Sequence, residues 1–174
     1  MKHPPSTSTP GTTAPRAATP MSATSRAATP MSTTATRYDL PEADAFSRPY
    51  WDAAADGRLL IRRCRADGCG AAHHYPREFC PRCWSEDVVW EAASGRATLY
   101  TWSVVHRNDL PPFGGRVPYT AAVVDLAEGP RMMTEIVDCP EAELRIGMEL
   151  LVHFRDVGGD GPAVPVFRPA AGAS

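Results

Sequence analysis

The sequence predicts a mainly β protein, with a short N-terminal helix, a four-cysteine module and then a small barrel of five strands. Three observations predict it. Four of the five cysteines fall within twenty residues, as Cys64, Cys69, Cys80 and Cys83. Beyond Asp87, short alternating apolar stretches recur between Gly- and Pro-rich turns, with no helical period among them. Before Tyr38 there is no Val, Ile, Leu, Phe, Tyr or Trp, so the fold is confined to the rest of the 174 residues.

Residues 1–37 contain 15 Ser or Thr and six Pro. Such a segment cannot bury enough apolar surface to offset the entropy of ordering, and it reads as a disordered low-complexity tail. Arg16-Ala17-Ala18-Thr19-Pro20-Met21-Ser22 recurs ten residues on, from Arg26 to Ser32, and two copies are too few for a solenoid. Lys2, Arg16, Arg26 and Arg37 with no acid give a faint likeness to an organelle transit peptide. The prolines and the missing apolar face argue against that. Met21 or Met31 would serve as a later start of translation, which the mass of the native N-terminus would reveal.

Without the tail, 14 basic residues face 20 acidic ones, a net charge near −6. A phosphate-backbone binder needs a basic field, and Lys2 is the sole lysine. No run of about eighteen apolar residues exists to span a membrane. The expectation is therefore a soluble, cytoplasmic chain with little affinity for nucleic acid.

Residues 38–57 form the helical segment. Asp39-Leu40-Pro41-Glu42 offers a capping acid, an early proline and a second acid. Phe46, Tyr50, Trp51 and Ala54 recur at helical spacing until Asp56-Gly57, and Pro49 divides the pattern, so that a second piece opens near Ser47. This aromatic stripe packs on its own chain or docks on a partner. The second reading draws on a helix that the cysteine module sets apart from the main core.

Residues 58–90 form the cysteine module. Arg58–Ile61 leads in as a strand and Asp87–Trp90 leads out. Two close cysteine pairs separated by ten residues can present four thiolates to one Zn²⁺. Gly70 after the first pair and Pro81 inside the second suit the tight turns that aim amides at sulfur. Disulfides would need an oxidising compartment, and a redox pair would want a single Cys-x-x-Cys opening a helix. Four thiolates fill the shell and leave no place for an activated water, so the metal is structural. His73 and His74 are expected to face solvent.

Residues 91–170 hold the barrel, ahead of a short tail at 171–174. The expected strands are Thr98–His106, with Tyr100, Trp102 and Val104 on one face, then Tyr119–Leu126 and Met132–Val137 around a turn at Glu128-Gly129-Pro130. Leu150–Arg155 follows, then Ala163–Phe167, which Pro165 demotes toward an edge. Gly147 and Gly158–Gly161 punctuate the fourth strand, and only one helical turn fits between Cys139 and Gly147. Five short strands of this kind suggest a Greek-key barrel.

These residues, in this order, resemble the zinc-ribbon OB-fold acyl-CoA-associated proteins, the family of domain of unknown function thirty-five. The matching features are the helix Phe46–Trp51, Leu59 through Cys69-Gly70, Pro76-Arg77, Cys80-Pro81-Arg82-Cys83 and Gly95. Further on come Tyr100–Val104, Pro118-Tyr119, Leu126–Pro130, Ile146-Gly147-Met148 and Pro165–Pro169, so that residues 39–170 are covered. One departure is the first cysteine pair, with four intervening residues where the family often has two.

The resemblance implies a rubredoxin-like zinc ribbon followed by a five-stranded OB-fold barrel. It also implies a non-catalytic accessory subunit of a thiolase-fold or hydratase acyl-CoA enzyme. Such a subunit stabilises its partner and contributes to acyl-CoA binding, in a hetero-complex that can include a homo-oligomer of this chain.

An OB barrel offers a shallow groove suited to an adenine and a pantetheine arm. The Pro/Gly loop from Asn108 to Tyr119 carries Phe113 as an anchor, and Arg107 and Arg116 flank it within reach of CoA phosphates. The cofactor-binding candidates are thus Arg107, Phe113, Arg116 and Tyr119, with Arg77 and Arg82 as a second pair. Cys139 with His106 or His153 is the alternative for intrinsic catalysis, and its place before Pro140 reads instead as a small buried hydrophobe. The alternative function is a single-stranded nucleic-acid module in which Tyr100, Trp102 and Phe113 stack bases.

Overall fold

The computed structural model describes residues 43–157 and 162–170. The expected tail at 1–37, the helix start at Asp39–Glu42, the Gly158–Gly161 turn and residues 171–174 lie outside the described residues.

Helix α1, Arg48–Ala55, opens on a reciprocal turn. The Ser47 amide and hydroxyl donate to Asp44 Oδ1 at 2.6 and 2.7 Å, and the Asp44 amide donates to Ser47 Oγ at 3.2 Å. Pro49 sits in the first turn, where its missing N–H leaves no helical bond unmade. The helix stops as expected, the Arg58 amide reaching Ala53 O at 2.8 Å around Gly57. Tyr50, Ala53 and Ala54 are buried, and Tyr50 and Ala53 join the cluster that contains Leu99, Leu126 and Phe167 of the barrel. The expectation of a helix set apart from the main core is therefore corrected, because its aromatic stripe is spent on this chain's own core.

The ribbon is a three-stranded antiparallel sheet in the order β2–β1–β3, made of β1 Leu60–Cys64, β2 Ala72–His73 and β3 Val88–Ala92. His73 and His74 are each only 8 % exposed, which corrects the expectation that they face solvent. For His74 the cover comes from α1, whose Tyr50 hydroxyl lies 3.2 Å from its Nε2 across 24 residues of sequence.

The remaining strands close into a barrel. They are β4 Arg96–Val105, β5 Tyr119–Leu126, β6 Arg131–Ile136, β7 Glu149–Arg155 and β8 Val164–Pro169, in the order β4–β5–β6–β8–β7 with β7 returning to β4. The β6–β8 contact is parallel and the other ladders are antiparallel. This is a five-stranded OB-fold, and the single helical turn expected after Cys139 is the 3₁₀ turn Glu141–Glu143.

Two strand expectations change. The β4–β5 register shifts between Leu99 and Thr101, so a bulge at Tyr100 turns Ala97 and Leu99 inward before it and half-buries Trp102 and Val104 after it. Tyr100 leaves the face it was expected to share with those two and is exposed. Strand β8 is interior to the closed barrel. Pro165 lies opposite Phe154 on the β7 side, while the β6 ladder reaches only the Ile136–Phe167 pair, so its missing N–H falls where no ladder bond forms. The Thr134 hydroxyl donates to Pro165 O at 3.2 Å and spans the seam there.

Gly95 joins ribbon to barrel at φ +76°, and a Cβ added there would meet Val152 Cγ1 at 2.5 Å. Gly95→Ala is expected to lower stability by about 2–3 kcal/mol, combining left-handed strain with a clash against β7. Urea unfolding measures this, and a midpoint like that of the wild-type chain would contradict it.

Candidate functional site

The metal centre follows from two turns. Each cysteine pair ends on a left-handed residue, Gly70 at φ +58° in the first and Trp84 at φ +64° in the second. The Arg82 amide donates to Cys80 Sγ at 3.4 Å. Cys64 and Cys83 sulfurs lie 3.6 Å apart, Cys69 and Cys80 sulfurs 3.7 Å, and all four lie within 4.8 Å of one another. Zn–S bonds of about 2.3 Å in a tetrahedron set the sulfurs roughly 3.8 Å apart, so the donor set fits Zn²⁺.

The electrostatics suit a bound cation. Burial pushes the Cys64 thiol up to about 12. Burial also opposes ionisation of Cys80, but the Cys83 and Arg82 amides bring its thiol down to about 7. Four thiolates coexist here only around a divalent ion.

A cleft of about 520 Å³ lies where helix, ribbon and barrel meet. Tyr50 and Trp51 of α1, His74, Tyr75 and Pro76 of the ribbon, and Met132, Met133 and Pro165 of the barrel give it mainly apolar walls. The Asn108–Tyr119 loop supplies Phe113, Arg116 and Tyr119. Phe113 and Tyr119 are tilted rings 6.2 Å apart, and the Arg116 guanidinium lies 5.6 and 5.8 Å from their centroids. Arg116 is ion-paired with Glu135, whose other oxygen accepts from Arg155 Nη1 at 2.9 Å. Two guanidinium groups and one carboxylate leave the cleft locally positive within an acidic body.

The structure thus brings together Phe113, Arg116 and Tyr119, and Asn108 donates to the Tyr119 hydroxyl at 3.0 Å to fix the loop base. Arg107 lies elsewhere, exposed and paired with Asp109 at 3.2 Å. Arg77 and Arg82 are exposed on the ribbon and do not line the cleft. Glu135 and Arg155 escaped the sequence reading. The signal was an acid in the apolar strand Met132–Val137 facing a base two strands away, across β8, and the strand order needed to pair them is non-local.

Cys139 is half-buried beside the Pro140 carbonyl at 3.6 Å. Burial and Glu143 push its thiol up, away from the thiolate a nucleophile requires. The aromatic residues considered for base stacking have separate duties. Arg131 caps Tyr100 at 3.5 Å, Trp102 packs on the core, and Phe113 faces Tyr119.

His74 sits at the cleft's inner wall, and burial lowers its pKa from 6.5 to about 4. The folded state therefore holds it neutral while the unfolded chain takes up a proton near pH 6.5. Stability is full above that pH and declines toward pH 4, by about 2–3 kcal/mol in all. With zinc kept saturating, the urea midpoint is expected to fall between pH 7 and pH 5, and His74→Gln to flatten that fall. An equal fall in both proteins would contradict it.

Residues 51–89 match the family described as ChsH2, rubredoxin-like zinc ribbon domain, and residues 90–155 match ChsH2, C-terminal OB-fold domain. A DUF35 domain-containing scaffold protein of Methanocaldococcus jannaschii is 37% identical over 105 residues, 60% of this chain and 74% of that protein. The chain belongs to the DUF35 family of zinc-ribbon OB-fold proteins.

This DUF35 member is also 35% identical over 121 residues, 70% of its length, to a probable enoyl-CoA hydratase alpha subunit of Thermomonospora curvata, of which it spans only 36%. It is 29% identical over 115 residues to the benzoylsuccinyl-CoA thiolase subunit BbsA of Thauera aromatica, covering 62% of this chain and 78% of that subunit. The solved structure titled Ltp2-ChsH2(DUF35) aldolase aligns with a TM-score of 0.64 at 32% identity, over 74% of this chain and 98% of that one. Among the described residues of the DUF35 chain, no helix is long and apolar enough to cross a membrane.

Proposed function

We propose that this chain is a non-catalytic accessory subunit of an acyl-CoA enzyme, a hydratase or a thiolase-like partner, which it stabilises and whose acyl-CoA site it extends. The names of its relatives support the enzyme class. The cleft carries the reading, because its apolar walls and Arg116 suit the acyl and pantetheine part of a thioester. Phe113 and Tyr119 would pack along the arm. Arg116, positioned by Glu135, would meet an anionic oxygen at the mouth. Arg107, at the outer end of the loop, would reach the nucleotide phosphates on exchanging its partner Asp109.

The chain would raise its partner's rate by holding the partner's competent conformation and narrowing the orientations of bound thioester. Structural Zn²⁺ would be held by Cys64, Cys69, Cys80 and Cys83 and would keep the ribbon wall of the cleft in place.

The test is a reconstituted complex of this chain with its partner subunit. Phe113→Ala with Arg116→Gln is expected to raise the KM for acyl-CoA about tenfold while elution volume and melting temperature of the complex stay unchanged. An unchanged KM would remove the ligand role from these residues.

A further inference from the structure

We propose that the zinc centre doubles as a redox latch on the cleft: a peroxide attacks Cys83, Cys64 closes a disulfide with it, and the departing metal frees the ribbon wall. This does not depend on which partner the chain serves. The four ligands are unequally protected, Cys64 and Cys80 being buried, Cys69 half-buried and Cys83 exposed. A thiolate reacts in proportion to its exposure as well as its charge, so the outer sulfur of the second pair is the point of attack. The Cys64 sulfur lies 3.6 Å from it, which makes Cys64 the resolving thiolate.

The chemistry balances with hydrogen peroxide as oxidant. The Cys83 thiolate attacks one peroxide oxygen, an S–O bond forms, the O–O bond breaks and hydroxide leaves as water on taking a proton. Cys83 is thereby oxidised by two electrons to a sulfenic acid. The Cys64 thiolate then displaces hydroxide from that sulfur, forming the S–S bond, and the hydroxide again leaves as water. Zinc is left with two of its four ligands and a much weakened hold.

The consequence for the cleft comes from chain connectivity. Cys69 and Cys80 are both ligands, and the segment between them carries His74, Tyr75 and Pro76 of the cleft wall. The metal therefore ties both ends of that segment, and its loss loosens the wall opposite the barrel. What then holds it is the two-residue β1–β2 ladder and the hydrogen bond between His74 and Tyr50.

The experiment uses the full zinc-loaded chain. A brief pulse of N-ethylmaleimide is expected to label Cys83 at least about tenfold faster than Cys80. Hydrogen peroxide is expected to release zinc to a chromogenic chelator, with Cys64–Cys83 as the first disulfide in peptide maps and faster amide exchange over residues 71–79. Cys139→Ser should leave all of this unchanged, and reductant with added zinc should restore the starting state. A first disulfide between Cys69 and Cys80, oxidation confined to Cys139 with zinc retained, or zinc release with unchanged exchange over 71–79 would each overturn the proposal.

Discussion

Replacing Cys80 and Cys83 together by serine is expected to abolish zinc binding and unfold the ribbon, with a loss on the order of 10 kcal/mol in that module. Beyond the core packing of β1, the three-stranded sheet has little else to hold it. Strand β2 is two residues long, and the second pair's turn is organised by amide bonds to Cys80, including the 2.9 Å bond from Trp84 N–H to Cys80 O. Serine oxygens bind zinc far more weakly than thiolates, so the ion has no substitute shell. Elemental analysis would show loss of metal, and amide exchange over 60–92 would rise to the unprotected rate. Retention of zinc and of slow exchange in the double variant would contradict the assignment. Because β1 and α1 share the core cluster, the cleft should be lost with the ribbon while the barrel strands keep much of their protection.

Phe167→Ala is the second large effect, expected at about 3–5 kcal/mol. Phe167 is 0% exposed and sits on β8 opposite Val152 of β7, in register with Ile136 of β6. The Val137 amide donates to its carbonyl at 2.8 Å. Removing the ring leaves a cavity at the point where the barrel closes, so both seams of β8 should weaken together. Urea unfolding with zinc saturating would measure the loss. A shift below about 1 kcal/mol would mean that the barrel closes by contacts other than these.

Local signals made most of the fold legible. The cysteine spacing picked out the four residues that the structure places to hold a metal, Tyr119–Leu126 appeared with the ends it has in the structure, and the helix began at the serine expected to open it. What escaped was non-local or depended on one backbone irregularity. The bulge at Tyr100 changes which parity of β4 faces inward, and an alternating pattern carries no mark of where such a residue falls. His74 looked like a surface residue because the helix that covers it lies some twenty residues upstream. Pro165 argued for an edge on a rule that holds when both sides of a strand must bond, and here the β6 ladder stops short of it. The cleft draws on helix, ribbon, loop and barrel, so only its loop, a single continuous stretch, could be read in advance. Within that loop, Arg107 and Arg116 looked equivalent until Glu135 drew one inward and Asp109 held the other at the surface.

The most direct test of the proposed accessory role is to titrate this chain into a purified hydratase or thiolase-like candidate partner while following acyl-CoA turnover. Turnover and thermal stability are predicted to rise together and saturate at a fixed ratio as the two co-elute, with the chain alone inactive. Unchanged turnover, melting temperature and elution volume, or robust turnover by this chain on its own, would contradict the account.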